Sequence, residues 1–176
     1  MLVLAISGSL RPASLNTALV HAARLIAPPG LAVTVYDGLG TLPHFNPDLD
    51  GEGALLPPVV AELRGLVDRA DAMIICSPEY AHGVPGVLKN ALDWLVSSVE
   101  FPGMPVALIN TSLRSVHAHE SLTEVLTTMS ARLPVGASVR IPLLDRTLDA
   151  AGIAADKELA GALRGVLDAL AKAAAA

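Results

Sequence analysis

The sequence predicts an α/β fold: a three-layer sandwich with a five-stranded parallel sheet covered by helices on both faces. Three observations predict it. Short apolar runs alternate with helix-length amphipathic stretches five times along the chain, the pattern of parallel strands joined by crossover helices. The strand runs are continuously apolar rather than alternating, as expected when both faces of a sheet are buried. The chain has 176 residues, 52% hydrophobic and 16% charged, enough for one domain over 1–176 with a sizeable core. Five strands fit the order 2-1-3-4-5; the six-stranded order 3-2-1-4-5-6 is the competitor.

The elements follow in order. Residues 2–6, "LVLAI", read as the first strand, and 15–27 as a helix with Ser14 as its cap. The β-branched "LAVTVY", 31–36, reads as the second strand. Residues 37–58 form a long loop full of Gly, Pro and Asp, and loops of that length in a compact domain are often functional. A helix is predicted over 59–70, with Pro58 suited to its first turn. "AMIIC", 72–76, is the third strand, followed by the loop "SPEYAHGVPG", 77–86, and a helix over 87–98. "PVALIN", 105–110, is the fourth strand and leads through "TSLRSVHAHE" into a helix over 118–132. "ASVRIP", 137–142, is the fifth strand, and 156–174 the last helix, with the alanine-rich tail as its fraying end.

Composition excludes several classes of function. The net charge is −5 and the twelve basic residues are scattered, so no phosphate-tracking surface for nucleic acid is expected. Aromatic residues make up 3%, too few for base-stacking platforms. No apolar run reaches the ~18 residues of a membrane span. "MLVLAI" lacks the basic n-region of a secretory signal, so a cytoplasmic protein is expected. Cys76 is the only cysteine; it rules out an internal disulfide and reads as an inert core thiol. His44, His117 and His119 do not make a ligand set, so no metal site is predicted. No nucleophile elbow and no paired carboxylates are present, so no catalytic side chain is predicted either.

Ligands of open α/β sheets bind beyond the carboxyl ends of the strands, at the switch in strand order. For order 2-1-3-4-5 this gathers the loops at 7–16, 77–86 and 110–117. The first, "SGSLRPASLN", places Ser9, Arg11, Ser14 and Asn16 at a helix N-terminus, whose free N–H groups and partial positive charge suit an anion. An ordinary helix cap beside a surface arginine is the other reading. The loop lacks the Gly-Lys-Ser/Thr of a Walker motif, the glycines of the dinucleotide fingerprint and the cysteine of a phosphatase loop. In the second loop, Pro78, Gly83, Pro85 and Gly86 set a stiff path with Tyr80 and His82 at its lip. Such a rim suits a flat heterocycle; a rigid surface loop is the alternative. In the third, Ser112, Arg114 and His117 can reach the same place, and Arg114 either balances negative charge there or is a solvated loop charge.

These stretches resemble the NADPH-dependent FMN reductases, which include quinone, azo and chromate reductases. The shared motifs are G-S-x-R-x-x-S-x-N after the first strand and P-E-Y-x-x-G-x-P-G-x-L-K-N-A-x-D-W after the third, present as Gly8 to Asn16 and Pro78 to Trp94. "LPHFNPDLD", 42–50, is similar to the family's loop after the second strand, and the resemblance covers residues 1 to about 110. It implies a flavodoxin-like FMN-binding domain, with NADPH or NADH as co-substrate, a small-molecule electron acceptor, and homodimers or homotetramers. By position, Ser9, Arg11, Ser14, Leu15 and Asn16 would hold the FMN phosphate. Pro78, Glu79, Tyr80, His82 and Gly83 would line the flavin ring and ribityl chain, with Ser112 and Arg114 at the ring edge. Lys89, Asn90, Asp93 and Trp94 fall in the region where the family's subunits meet, with Trp94 in core or interface. The third loop departs from the family's glycine-rich stretch by having no glycine. A flavodoxin-like electron carrier and a flavin-free regulatory domain are the alternative readings.

Overall fold

The computed structural model describes residues 1–51, 53–143 and 147–176. The chain runs β1 (Leu2–Ser7), α1 (Leu15–Ile26), β2 (Ala32–Tyr36), α2 (Pro58–Asp68), β3 (Ala72–Cys76), α3 (Gly86–Asp93), β4 (Val106–Asn110), α4 (His117–Thr128), β5 (Val139–Arg140), α5 (Ala150–Ala155) and α6 (Lys157–Ala174). Two short 3-10 turns, Gly38–Thr41 and Pro47–Leu49, lie in the long loop after β2, of which position 52 is outside the described residues. The sheet has the predicted order, β2-β1-β3-β4-β5, and every pairing is parallel.

Strand side chains alternate between two cores. Val3, Ala5, Ile74, Cys76, Ala107 and Ile109 face α1, α5 and α6, together with Leu19, Leu163 and Leu170. Leu4, Ile6, Met73, Ile75, Val106 and Leu108 face α2, α3 and α4, with Leu63, Leu88, Trp94 and Phe101. The continuous apolar strands follow directly: both faces of the sheet exclude water, so neither set of alternate residues can be polar. Each fully buried Leu or Ile in these layers contributes roughly 1.5–3 kcal/mol.

Three elements differ clearly from expectation at an end, and a fourth is additional. The helix predicted over 87–98 stops at Asp93, because Arg64 takes the Trp94 carbonyl through Nε at 2.9 Å and Nη2 at 2.6 Å. That carbonyl would otherwise accept from the Ser98 N–H, which bonds Leu95 O instead. The helix predicted to 132 ends at Thr128 in a Schellman motif: Ser130 N donates to Thr127 O and Ala131 N to Leu126 O, with Ser130 at φ +62. The fifth strand, predicted over 137–142, pairs as a strand only at Val139–Arg140. Its backbone still follows β4, with Ile141 N donating to Asn110 O and Leu143 N to Thr111 O. The short α5 was not predicted; Asp149 caps it through Gly152 N at 2.8 Å, and Asp156 caps α6 separately.

Candidate functional site

The three loops that leave β1, β3 and β4 meet at the carboxyl edge of the sheet and are tied together there. Gly8 N donates to Cys76 O at 2.8 Å, so the first loop starts out against the end of β3. A Cβ on Gly8 would come 2.7 Å from Ser77 Oγ and 3.0 Å from Leu88 Cδ2, so this approach needs glycine. Asn16, buried in the first turn of α1, accepts at Oδ1 from Thr111 Oγ1 at 3.0 Å and from Cys76 Sγ at 3.2 Å. One side chain thus joins α1 to the ends of β3 and β4.

The residues of the first loop gather around the N-terminus of α1. Ser14 is the helix cap, its Oγ accepting from Thr17 N at 3.4 Å. Ser7 Oγ bonds Thr17 Oγ1 at 2.8 Å and accepts from Ser9 N, and Ser9 Oγ accepts from Arg11 N, both at 3.3 Å. Arg11 is exposed, and among the described residues its guanidinium has no acceptor. The N–H groups of Leu15 and Asn16 likewise have no acceptor among the described residues, as first-turn amides of a helix do not. Ser14 therefore fulfils the cap reading, while Arg11 and the two amides stay free for an anion. Asn16 turns its side-chain oxygen to the interior, while its backbone N–H and its Nδ2 amide have no acceptor among the described residues.

The second loop turns at Tyr80–Gly83. Tyr80 N donates to Gly83 O at 3.1 Å, Gly83 N donates to Tyr80 O at 2.9 Å, and Ala81 and His82 sit at φ +49 and +59. This is the geometry of a type I′ turn, built without the Asn-Gly that such turns prefer. Tyr80 is 57% exposed, and the Pro78 carbonyl accepts from Ser77 Oγ at 3.0 Å. Glu79 points toward α4, where its Oε2 accepts from Ala118 N at 2.8 Å. The His82 ring packs on His117, centroids 4.3 Å apart and planes 33° apart.

The third loop holds its shape without glycine through a chain of local bonds. Asn110 Oδ1 accepts from Ser112 N at 2.8 Å, Asn110 Nδ2 donates to Ser115 O, and Ser112 Oγ accepts from Arg114 N at 3.0 Å. Ser112 is buried, and Arg114 is exposed with no side-chain acceptor among the described residues. Behind the mouth, a small cavity is walled by Ile75, Ser77, Asn110, Ala118, His119 and Leu122. Burial, reinforced by the Arg140 charge and opposed by Glu120, holds His119 below the usual histidine range. Burial alone pushes the Cys76 thiol far up, which makes it the inert core thiol expected.

The loop after β2 is fastened beside the site by residues whose role spacing did not reveal. Asn90 accepts at Oδ1 from Phe45 N at 2.8 Å and donates from Nδ2 to Pro43 O at 2.9 Å. Trp94 Nε1 donates to the same Pro43 carbonyl at 2.8 Å, and its buried ring meets Phe45 edge-on at 5.1 Å. Arg64 pairs with Asp50 at 2.6 Å, and Ser97 Oγ donates to Asp50 Oδ2 at 2.6 Å. The Asn and Trp of the second motif thus grip the loop "LPHFNPDLD" within one chain. Thr111 and Arg64 carry no local signal, since their partners lie elsewhere in the sequence.

Residues 1–142 match the family model described as NADPH-dependent FMN reductase. An NAD(P)H-dependent FMN reductase of Pseudomonas aeruginosa is 40% identical over 112 residues, covering 62% of this chain and 59% of that protein. A quinone reductase of Escherichia coli (strain K12) is 36% identical over 116 residues, covering 65% and 61%. The chain thus spans about 59% to 61% of the length of these two curated relatives. Among solved structures, the flavoenzyme NAD(P)H:(acceptor) oxidoreductase FerB of Paracoccus denitrificans has a TM-score of 0.77 at 28% identity, with 99% of this chain and 97% of that one covered.

Proposed function

The chain belongs to the NADPH-dependent FMN reductase family, and on that footing we propose that it is an NAD(P)H-dependent FMN oxidoreductase acting on a small acceptor: a quinone, an azo compound, a metal oxyanion or free flavin. The observation that carries this reading is the helix N-terminus at Leu15, drawn against β3 by Gly8, with Arg11 and two amides unclaimed. These donors fit a dianionic phosphate: the amides bring the positive end of the helix and Arg11 brings a fixed charge with a forked geometry.

Bound FMN supplies the redox chemistry, taking electrons from a nicotinamide and giving them to the acceptor. What the chain itself supplies is anchorage and orientation. Ser9, Arg11, Leu15 and Asn16 hold the phosphate end. Pro78, Tyr80 and Gly83 wall the ring, with Ser112 and Arg114 at its edge. His82 and Tyr80, both exposed, face the nicotinamide or the acceptor. No side-chain acid or base is assigned. The reading takes 1–176 as one FMN-binding domain of a cytoplasmic homodimer or homotetramer. Among the described residues no helix is long and apolar enough to cross a membrane. Exposed Val96 and Val99 offer apolar surface to a second copy.

Purified protein mixed with FMN should turn yellow, retain the flavin through desalting, and oxidise NADPH or NADH when benzoquinone is added. Arg11→Ala should weaken FMN binding by about tenfold or more, the worth of one charge-assisted hydrogen bond. A protein that binds no FMN at micromolar concentration would overturn the proposal.

A further inference from the structure

We infer that Glu79 is a positioning residue: it docks the loop after β3 on the first turn of α4 and thereby fixes the turn that presents His82, paired with His117, at the mouth. The inference rests on the reading of the carboxyl edge as the flavin site, but its first test does not.

Helix α4 begins without a cap of its own. Val116 stands at the N-cap position with helical backbone and no side-chain hydrogen bond. The first-turn amides have no partner within the helix. Glu79 supplies one from 39 residues away, with Oε2 accepting from Ala118 N at 2.8 Å. A carboxylate suits this place, because it meets the positive end of the helix and forms a charge-assisted bond.

The neighbouring backbone needs such an anchor. Ala81 and His82 both occupy the left-handed region, at φ +49 and +59, and neither is glycine, Asn or Asp. Conformations of this kind persist only where the surroundings over-determine them. Here the surroundings are the paired Tyr80–Gly83 bonds, the buried Pro85, Glu79 directly before the turn, and the ring contact between His82 and His117. His117 is the first residue of α4, so the helix end held by Glu79 also carries the ring on which His82 rests. The carboxylate thus sets the spacing of two loops and the orientation of an imidazole pair in one contact. The resemblance sets Glu79 in the loop that lines the flavin; the geometry adds that its carboxylate is bonded to the helix.

The test is read first on the ligand-free protein. Glu79→Ala should speed hydrogen exchange at the amides of residues 117–119 by about tenfold and abolish the nuclear Overhauser contact between the His82 and His117 rings. Glu79→Gln, whose amide oxygen still accepts, should keep the ring contact and stay within about threefold of the parent exchange. Should Glu79→Ala not fold, Glu79→Asp, one methylene too short, should show the same loss. In the FMN-loaded protein, Glu79→Ala should raise the KM for benzoquinone about fivefold, and Glu79→Gln should leave it within about twofold of the parent. Unchanged exchange and an intact ring contact in Glu79→Ala would overturn the inference, as would a Gln variant as perturbed as the Ala variant. A protein that binds no FMN would sink the proposed function and leave the exchange result standing.

Discussion

Asn16 reaches out of the first turn of α1 to Thr111 and Cys76, residues 95 and 60 positions away. The motif marks it as functional, but its neighbours in sequence do not disclose that its oxygen faces inward. Glu79 is similar: its spacing places it at the lip, and only the packed helix shows that it is a cap. His119 carries the prediction that belongs at this scale. Its pKa is depressed in the folded protein, so the unfolded state binds more protons as pH falls below about 6.5, the ordinary histidine value. The stability that neutral His119 contributes is complete above that value and is lost as pH falls through the folded pKa. His119→Gln should flatten the acid side of the melting-temperature profile of the ligand-free protein. An unchanged slope would assign the acid sensitivity to other groups.

Elements form where the sequence says, and they end where their partners say. α1, α2 and β3 match their local signals closely, because Ser14, Pro58 and the apolar run act over a few residues. α3 stops early because Arg64 from α2 takes a carbonyl that a longer helix would use. α4 stops early because Ser130 adopts φ +62 where glycine usually marks the end, so the stop signal is missing from the sequence. That position tests the account. Ser130→Gly should stabilise the protein by about 1 kcal/mol, by removing the steric cost of a side chain in the left-handed region. Urea denaturation of both proteins measures it, and a destabilised variant would show that the Ser130 side chain matters in some other way.

Over the whole molecule, one sheet divides two cores of opposite polarity of approach, α1, α5 and α6 on one side and α2, α3 and α4 on the other. Leu163 and Leu63 are fully buried on the two sides. Each change to alanine should cost about 2–5 kcal/mol, by lost transfer energy and cavity formation. Because the strands are shared, either variant should unfold in one transition, with near- and far-ultraviolet circular dichroism giving the same midpoint. Separate midpoints would mean that the two layers are held independently. By itself, the sequence determined the alternation of strands and helices, the strand order and the edge where three loops gather. Those features follow from apolar periodicity and from the geometry of parallel crossovers, which put every loop that leaves a strand at the same edge. Only the tertiary structure decided which groups on those loops bond one another and which stay free for a ligand. Hydrogen bonds join atoms that are near in space, and the sheet brings together residues that no local propensity relates.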